Sequence, residues 1–263
     1  MVDVTRYFAD ADPEELERLA GQVRTVGERT GFHLLVGHGI ESGHFDSIFA
    51  AAESFLTLPE ADKRRIEIDD PAAAAPGIGY LPVGERRLPT RARGNLNEAI
   101  LFKQDRALRL ADNPWPDPVR LPGFRSAVET WAAGIERVAR ALLPIYARAL
   151  DLPAGFFGPA FVDPFWRLRL TRYPSVPEVD RDGGDFAIAP HVDTTFFTLL
   201  AQSGPGLVIF GERRGRWLRV PFEPGVLVVN TGELLKQWSN DRFLSVKHFV
   251  PPASDGPDRY SVP

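Results

Sequence analysis

The stretch His191-Val192-Asp193-Thr194-Thr195-Phe196-Phe197-Thr198-Leu199-Leu200 decides how this chain is understood. It is dense in β-branched and aromatic residues, which predicts a strand over 191–200. Side chains alternate along a strand, so His191 and Asp193 are expected on one face. An imidazole beside a carboxylate is a metal-ligand pair. Taken alone, though, His-x-Asp is more often a surface accident, and the rest of the chain has to give it meaning.

The chain holds five histidines: His33, His38, His44, His191 and His248. His248 lies on another β-type run, Val246–Val250, and is the natural third ligand. Two histidines and one carboxylate leave coordination positions open, which suits an Fe(II) that must bind both a substrate group and O2. Further on comes Arg259-Tyr260-Ser261. Period-2 geometry puts Arg259 and Ser261 on one face, where a guanidinium and a hydroxyl can clamp a carboxylate.

The surroundings of this stretch are β-rich. Trp166–Tyr173, Gly206–Phe210, Trp217–Val220, Val226–Asn230, Val246–Val250 and Tyr260–Val262 are short strand-like runs with Gly and Pro between them. That pattern suggests a sandwich or a jelly-roll barrel. The first half reads as helical. Asp12 is placed as an N-cap with Pro13 at the first helical position and Glu15 closing a capping box. Helices are predicted after Asp12, over His44–Leu56 and over Phe124–Leu150, the last with Pro144 inside it. Phe32–Val36 and Asn97–Phe102 read as strands, and Asp69–Thr90 as loop or irregular strand. The expected fold class is mainly β with flanking helices (α+β). One domain is expected over 1–263, with a helical part of roughly 1–160 packed on a β core of roughly 161–263.

Composition narrows the function. The 263 residues are 44% hydrophobic and 25% charged, ordinary for a globular chain. A net charge of −4 argues against a nucleic-acid partner. The absence of cysteine removes disulfides, thiolate catalysis and cysteine metal sites. The N-terminus lacks a signal peptide's apolar run, and no stretch is long and apolar enough to span a membrane, so a cytoplasmic enzyme is expected.

Taken together, these motifs resemble the isopenicillin N synthase-like branch of the Fe(II)/2-oxoglutarate-dependent dioxygenases. The likeness runs from His191-Val-Asp193 through Gly206-Leu-Val, Trp217, Val220-Pro221, Pro224-Gly225, Val228-Val-Asn230-Thr-Gly232 and Gln237-Trp-Ser-Asn240. It ends on Arg242-Phe-Leu-Ser245, His248 and Arg259-Tyr-Ser261-Val-Pro263. In the first half, Gly31-Phe32, Gly37-His38-Gly39-Ile40, Phe55-Leu56-Thr-Leu-Pro59 and Lys63 extend it. The resemblance implies a double-stranded β-helix (jelly-roll) core with helices outside. It implies Fe(II) on His191, Asp193 and His248, and 2-oxoglutarate as co-substrate held by Arg259 and Ser261, with Tyr173 assisting. Thr171 stands where many members carry Asn. The implied reaction is O2-dependent oxidation of a C–H bond in a small-molecule substrate, by hydroxylation, desaturation or cyclisation, with succinate and CO2 as co-products. The family pattern continues beyond Pro263 into a segment over the active site.

Three rival readings are separable. An iron oxidase of the isopenicillin N synthase type would turn over without 2-oxoglutarate. A zinc hydrolase would keep its activity without O2, but no general base is evident near the ligands. A non-catalytic binding protein would not take up iron. Oligomeric state is left open by the sequence. Of the other singled-out residues, His38 is expected in a turn, His33 in the core and His44 at a helix start. Arg86, Arg87, Arg91 and Arg93 read as a solvated loop, and Arg213, Arg214 and Arg216 as a hairpin tip. Asp180, Asp182 and Asp185 read as a solvated turn, with a loop at the pocket mouth as the alternative; Phe196, Phe197 and Phe210 read as core, with a pocket lining as the alternative; and Trp238-Ser-Asn240 reads as packing and turn. Asn97 and Glu98 are weak candidates for substrate contact.

Overall fold

Two hydrophobic periodicities build two layers. The structure, a computed structural model, describes residues 1–68, 76–85, 91, 93–176, 184–253 and 256–263. Its strands are β1 (Val2–Asp3), β2 (Phe32–Val36), β3 (Gly79–Leu81), β4 (Glu98–Gln104), β5 (Trp166–Tyr173), β6 (Ile188–His191), β7 (Phe197–Gln202), β8 (Val208–Gly211), β9 (Arg216–Arg219), β10 (Leu227–Thr231), β11 (His248–Val250) and β12 (Arg259–Val262). Its helices are α1 (Thr5–Asp10), α2 (Pro13–Arg29), α3 (Ser42–Leu56), α4 (Glu60–Lys63), α5 (Phe124–Ala149) and α6 (Glu233–Trp238).

The strands form an eight-stranded sheet, in the order β1-β2-β10-β7-β12-β5-β4-β3, and a four-stranded sheet, β6-β11-β8-β9. The second half of the chain contributes four strands to each, which is the double-stranded β-helix. The strands β1 to β4 come from the first half and extend the large sheet at both edges. Of these, β2 and β4 were expected as strands, whereas β1 and β3 are only two and three residues long and too short to show a period.

Alternation along the large sheet divides its side chains between two cores. Leu35, Leu199, Ala201, Leu227, Val229, Leu168, Leu170, Tyr260 and Val262 face the helices and join the main core with α2, α3 and α5. Phe32, Val228 and, partly buried, Leu34 and Leu200 face the small sheet with Leu207, Ile209 and Val246. Both faces are buried, so β2, β7 and β10 are largely apolar runs with single polar breaks. The polar breaks mark the site.

The start of α2 follows its expected cap. Asp12 accepts a hydrogen bond from the Glu14 backbone N–H at 3.0 Å, with Pro13 opening α2. The expected capping box does not close, because both Glu15 oxygens are taken by Arg18 at 2.7 and 2.5 Å. α5 continues through Pro144 to Ala149.

His38 plays the turn role expected of it. Its Nδ1 accepts the Ile40 N–H at 3.2 Å, so its Nε2–H donates to the Gly225 carbonyl at 2.9 Å and ties two turns together. His33 is buried on β2 with no hydrogen-bond partner on Nε2. Burial pushes its pKa down from 6.5 to about 3. The unfolded chain therefore takes up this proton first. The neutral imidazole's share of stability is complete above about pH 6.5 and is lost as pH falls toward 3, a change on the order of a few kcal/mol. In urea denaturation, wild type is expected to lose stability relative to His33→Leu as pH falls from about 6.5 to about 4.

Candidate active site

The two histidines meet through strand register. In the antiparallel pair β6–β11, His248 is the direct partner of His191, and direct partners project side chains to one face. Their ring centroids are 4.3 Å apart. Phe32 from the large sheet sets its ring edge-on to His248 at 5.4 Å.

Asp193 arrives differently from the sequence expectation. The predicted strand 191–200 is broken: β6 ends at His191 in the small sheet, and β7 begins at Phe197 in the large one. Residues 192–196 cross between the sheets, so alternation is not what aligns His191 with Asp193. The crossing is pinned by the start of α6. The Asp193 carbonyl accepts the Glu233 N–H at 2.8 Å, and the Thr195 carbonyl accepts the Leu234 N–H at 3.2 Å. Gly232 is required at this junction, since a Cβ there would lie 1.9 Å from the Thr195 oxygen.

The three side chains then converge. One donor atom from each of His191, Asp193 and His248 lies within 4.8 Å of the others. Asp193 Oδ1 is 3.7 Å from Nε2 of both histidines. Every remaining heteroatom is tied back. His191 Nδ1 donates to the Ala189 carbonyl at 2.9 Å and His248 Nδ1 to the Val246 carbonyl at 3.2 Å, which leaves both Nε2 lone pairs pointing inward. Asp193 Oδ2 accepts from Thr198 Oγ1 at 2.6 Å and Asn230 Nδ2 at 2.9 Å. Thr198 and Asn230 are themselves direct partners across β7 and β10.

Electrostatics favour the ligand states of His191 and Asp193. Burial, then the neighbouring His248 and the positive charge of Arg169, hold His191 below its ordinary pKa. Burial pushes Asp193 upward, but His248, Asn230, Thr198 and His191 outweigh it and hold the carboxyl below its usual range. A neutral imidazole and a charged carboxylate are what a divalent cation needs. The donor set therefore fits Fe(II). Replacing the carboxylate's supports, by Asn230→Ala or Thr198→Val, is expected to weaken Fe(II) affinity by about 10- to 100-fold. Competition with a chelator measures this.

Beside the triad, β12 carries Arg259 and Ser261 on the same inner face, while Tyr260 and Val262 face the helices. Ser261 Oγ and Tyr173 Oη are 2.9 Å apart, and the Arg259 guanidinium lies over the Tyr173 ring at 4.7 Å. Arg259 is fixed by Gln202 Oε1 at 2.7 Å and the Gly204 carbonyl at 3.1 Å. Its Nη1 is buried with no hydrogen-bond partner. A buried cation with an unmet donor, next to two hydroxyls, is prepared for a carboxylate. Triad and arginine both open into a cavity of about 600 Å³, which runs on past Val262 and Pro263 to a groove along α5.

Other sequence candidates settle elsewhere. Glu98 is not at the cavity. It is 3% exposed and holds Lys63 at 2.5 Å, Tyr80 at 2.6 Å and Arg172 at 2.9 Å on the helix side of the sheet. Asn97 is buried and bridges the Ala187 carbonyl to Arg169. Arg91 and Arg93 are not merely solvated, since Arg91 bonds the Gly184 carbonyl and covers Phe186, and Arg93 pairs with Asp185. Arg213 and Arg214 sit in the β8–β9 turn and Arg216 opens β9. Phe196 is core, and Trp238 stacks on Phe157. Arg86, Arg87, Asp180 and Asp182 lie outside the described residues. Thr198, Gln202 and Asn230 were legible only as polar interruptions of apolar strands.

Fold and donor set together describe a jelly-roll protein with a candidate three-donor metal site. A family model for the 2OG-Fe(II) oxygenase superfamily matches residues 165–263. A second, for the non-haem dioxygenase in morphine synthesis N-terminal region, matches residues 1–118. Proline hydroxylase buaE of Petromyces alliaceus is 30% identical over 258 residues, spanning 95% of this chain and 79% of that protein. Validamycin A dioxygenase of Streptomyces hygroscopicus subsp. limoneus is 29% identical, spanning 100% and 74%. Among solved structures, a putative 2OG-Fe(II) oxygenase family protein from Caulobacter crescentus superposes with TM-score 0.80 at 27% identity, covering 99% of this chain and 84% of that one. A full-length Neurospora crassa protein in complex with alpha-KG shares the fold, with TM-score 0.85 at 24% identity over 99% and 82%.

The chain belongs to the 2OG-Fe(II) oxygenase superfamily. It is an oxidoreductase of the 2-oxoglutarate-dependent dioxygenase type, with Fe(II), 2-oxoglutarate and O2 as its cofactor and co-substrates. No helix among the described residues is long and apolar enough to cross a membrane.

Proposed function

We propose that His191 Nε2, Asp193 Oδ1 and His248 Nε2 hold the iron, and that Arg259, Ser261 and Tyr173 bind the distal carboxylate of 2-oxoglutarate. The observation that carries the assignment is the way every other heteroatom of the triad is already engaged, leaving three lone-pair donors within 4.8 Å of one another. When bound, iron with 2-oxoglutarate and O2 supplies the oxidising power for C–H oxidation, with succinate and CO2 formed alongside.

The chain's own residues do the rest. Three protein donors leave the other coordination positions to the co-substrate and to O2. Arg259, braced by Gln202 and Gly204, fixes the far end of 2-oxoglutarate and so orients its other end toward the triad. The Tyr173 and Ser261 hydroxyls complete that anchor. Phe32, Leu200 and Leu207 give the cavity an apolar wall that limits stray water near the reacting bond. A net charge of −4 and a cavity of about 600 Å³ favour a small molecule over a nucleic acid.

The test of the co-substrate anchor is Arg259→Gln. Losing a charge-assisted contact to a buried carboxylate costs about 2–5 kcal/mol, so the Kd for 2-oxoglutarate is expected to rise by at least about 30-fold. Fe(II) affinity should stay unchanged. An unaltered Kd would remove Arg259 from the co-substrate site.

A further inference from the structure

The small sheet ends in an open, cationic edge that carries none of the proposed iron or co-substrate residues. Its strand order is β6-β11-β8-β9, so β9 pairs with β8 alone. The opposite edge is covered, since Asn95 Oδ1 accepts the Ala189 N–H at 3.0 Å. The edge of the large sheet at β3 is met by Glu67, which bridges to Tyr80. On β9 the register says which backbone groups are open. The Val220 N–H donates to the Leu207 carbonyl at 2.9 Å. Opposed residues alternate between bonded and non-bonded pairs along an antiparallel ladder. Leu218 and Arg216 therefore bond toward β8, while the N–H and C=O groups of Trp217 and Arg219 point away from it, to the free edge.

Side chains complete the surface. The β11–β8–β9 register puts Lys247, Phe210 and Trp217 in one row across the outer face, and Phe249, Val208 and Arg219 in the next. Trp217 is 42% exposed and is backed by the Phe210 ring at 5.2 Å and the Phe249 ring at 4.8 Å. Exposed cations surround it: Arg213 and Arg214 in the β8–β9 turn, Arg216 and Arg219 on β9, and Lys247 just before β11. Among the described residues none of these cations forms an ion pair or a side-chain hydrogen bond. The chain pairs its arginines elsewhere, as at Arg64, Arg148, Arg172 and Arg242. Unpaired cations gathered on one edge of a chain of net charge −4 make a local positive field, whose complement is acidic.

A bare edge strand invites pairing, and charges of one sign oppose it with a second copy of the same edge. The same charges favour a strand that carries carboxylates. A lipid surface would meet the cations and Trp217 but would have no use for the open backbone groups. We propose that β9 is a docking edge for an acidic, extended segment of a partner protein, which adds to the four-stranded sheet as a further strand. Main-chain hydrogen bonds to Trp217 and Arg219 set its register, its carboxylates reach the guanidinia, and an apolar side chain between them covers Trp217.

The experiment is calorimetric titration of the full chain with a blocked octapeptide alternating Glu and Val. The controls alternate Lys and Val, and Glu and Pro; the second has the same charge but lacks alternate N–H donors and cannot complete a ladder. The Glu-Val peptide is expected to bind one per chain, about 10-fold or more tighter than either control, and to weaken as salt rises. In the complex, hydrogen exchange at the Trp217 and Arg219 backbone N–H groups should slow by about 10-fold or more. Arg216→Glu with Arg219→Glu changes two exposed side chains and should leave thermal unfolding unchanged, while weakening the peptide by at least about 10-fold. Three results overturn the proposal: no binding of the Glu-Val peptide, equal binding of the Glu-Pro peptide, or unchanged exchange at Trp217 and Arg219 in the complex. A chain that ignores the peptide but binds vesicles rich in phosphatidylserine, or an oligothymidylate, also overturns it and gives the edge to lipid or to nucleic acid.

Discussion

Asp193→Ala is expected to abolish Fe(II)-dependent turnover and to weaken iron binding by about 10²- to 10³-fold. The scale is that of four-ligand structural zinc sites, where about 10–16 kcal/mol shared among the ligands is about 2.5–4 kcal/mol each. Asp193 is the only carboxylate of the triad and its Oδ1 lies equally near both imidazoles. Its loss leaves two neutral nitrogens and strands the Thr198 and Asn230 donors. The backbone at 193–195 is held by Glu233 and Leu234 and does not need the side chain, so the variant should fold. Chelator competition reads the affinity, and thermal unfolding of the metal-free protein checks the fold. Unchanged iron affinity in a folded variant would place the metal elsewhere.

The second large effect is on stability. Glu98→Ala is expected to destabilise the protein by about 3–5 kcal/mol, because it leaves buried charges without their partner. Glu98 and Lys63 are 4% and 7% exposed, and Glu98 also holds Arg172 and the Tyr80 hydroxyl. Lys63 keeps the Leu56 carbonyl and the face of the Tyr80 ring. Removing both charges together, as in Lys63→Met with Glu98→Leu, should recover much of the loss, since well-packed apolar pairs often match buried ion pairs. Urea denaturation distinguishes the outcomes. A Glu98→Ala variant as stable as wild type would mean that water reaches the cluster. The effect is on folding and not on the reaction, since Glu98 lies on the opposite side of the large sheet from the triad and does not line the cavity.

Those two residues mark what the sequence could and could not say. The triad histidines were legible because histidine is rare here, five in all, with no cysteine to compete for a metal. Arg259 and Ser261 were legible because β12 is a regular strand, where period 2 holds. The same rule gave the wrong reason for Asp193. The run His191–Leu200 has strand composition throughout, yet its middle crosses between sheets, and the hydrogen bonds that fix the crossing come from Gly232–Leu234, far along the chain. Glu98 was misread because β4 is buried on both faces, and position alone does not say which face a polar residue takes. Thr198 and Asn230 needed the β7–β10 register to be seen as a pair. Long-range pairing was the missing information in each case.

The central claim is that the triad and Arg259 together hold an iron–2-oxoglutarate unit. Anaerobic titration of the protein with Fe(II) and then 2-oxoglutarate tests it most directly, by the weak visible absorption of a keto acid chelated to ferrous iron. The account predicts that the band appears at one equivalent of each, vanishes in His191→Ala, and requires far more 2-oxoglutarate in Arg259→Gln. A protein that binds Fe(II) at one equivalent yet never develops the band, or one whose band survives His191→Ala, would contradict it.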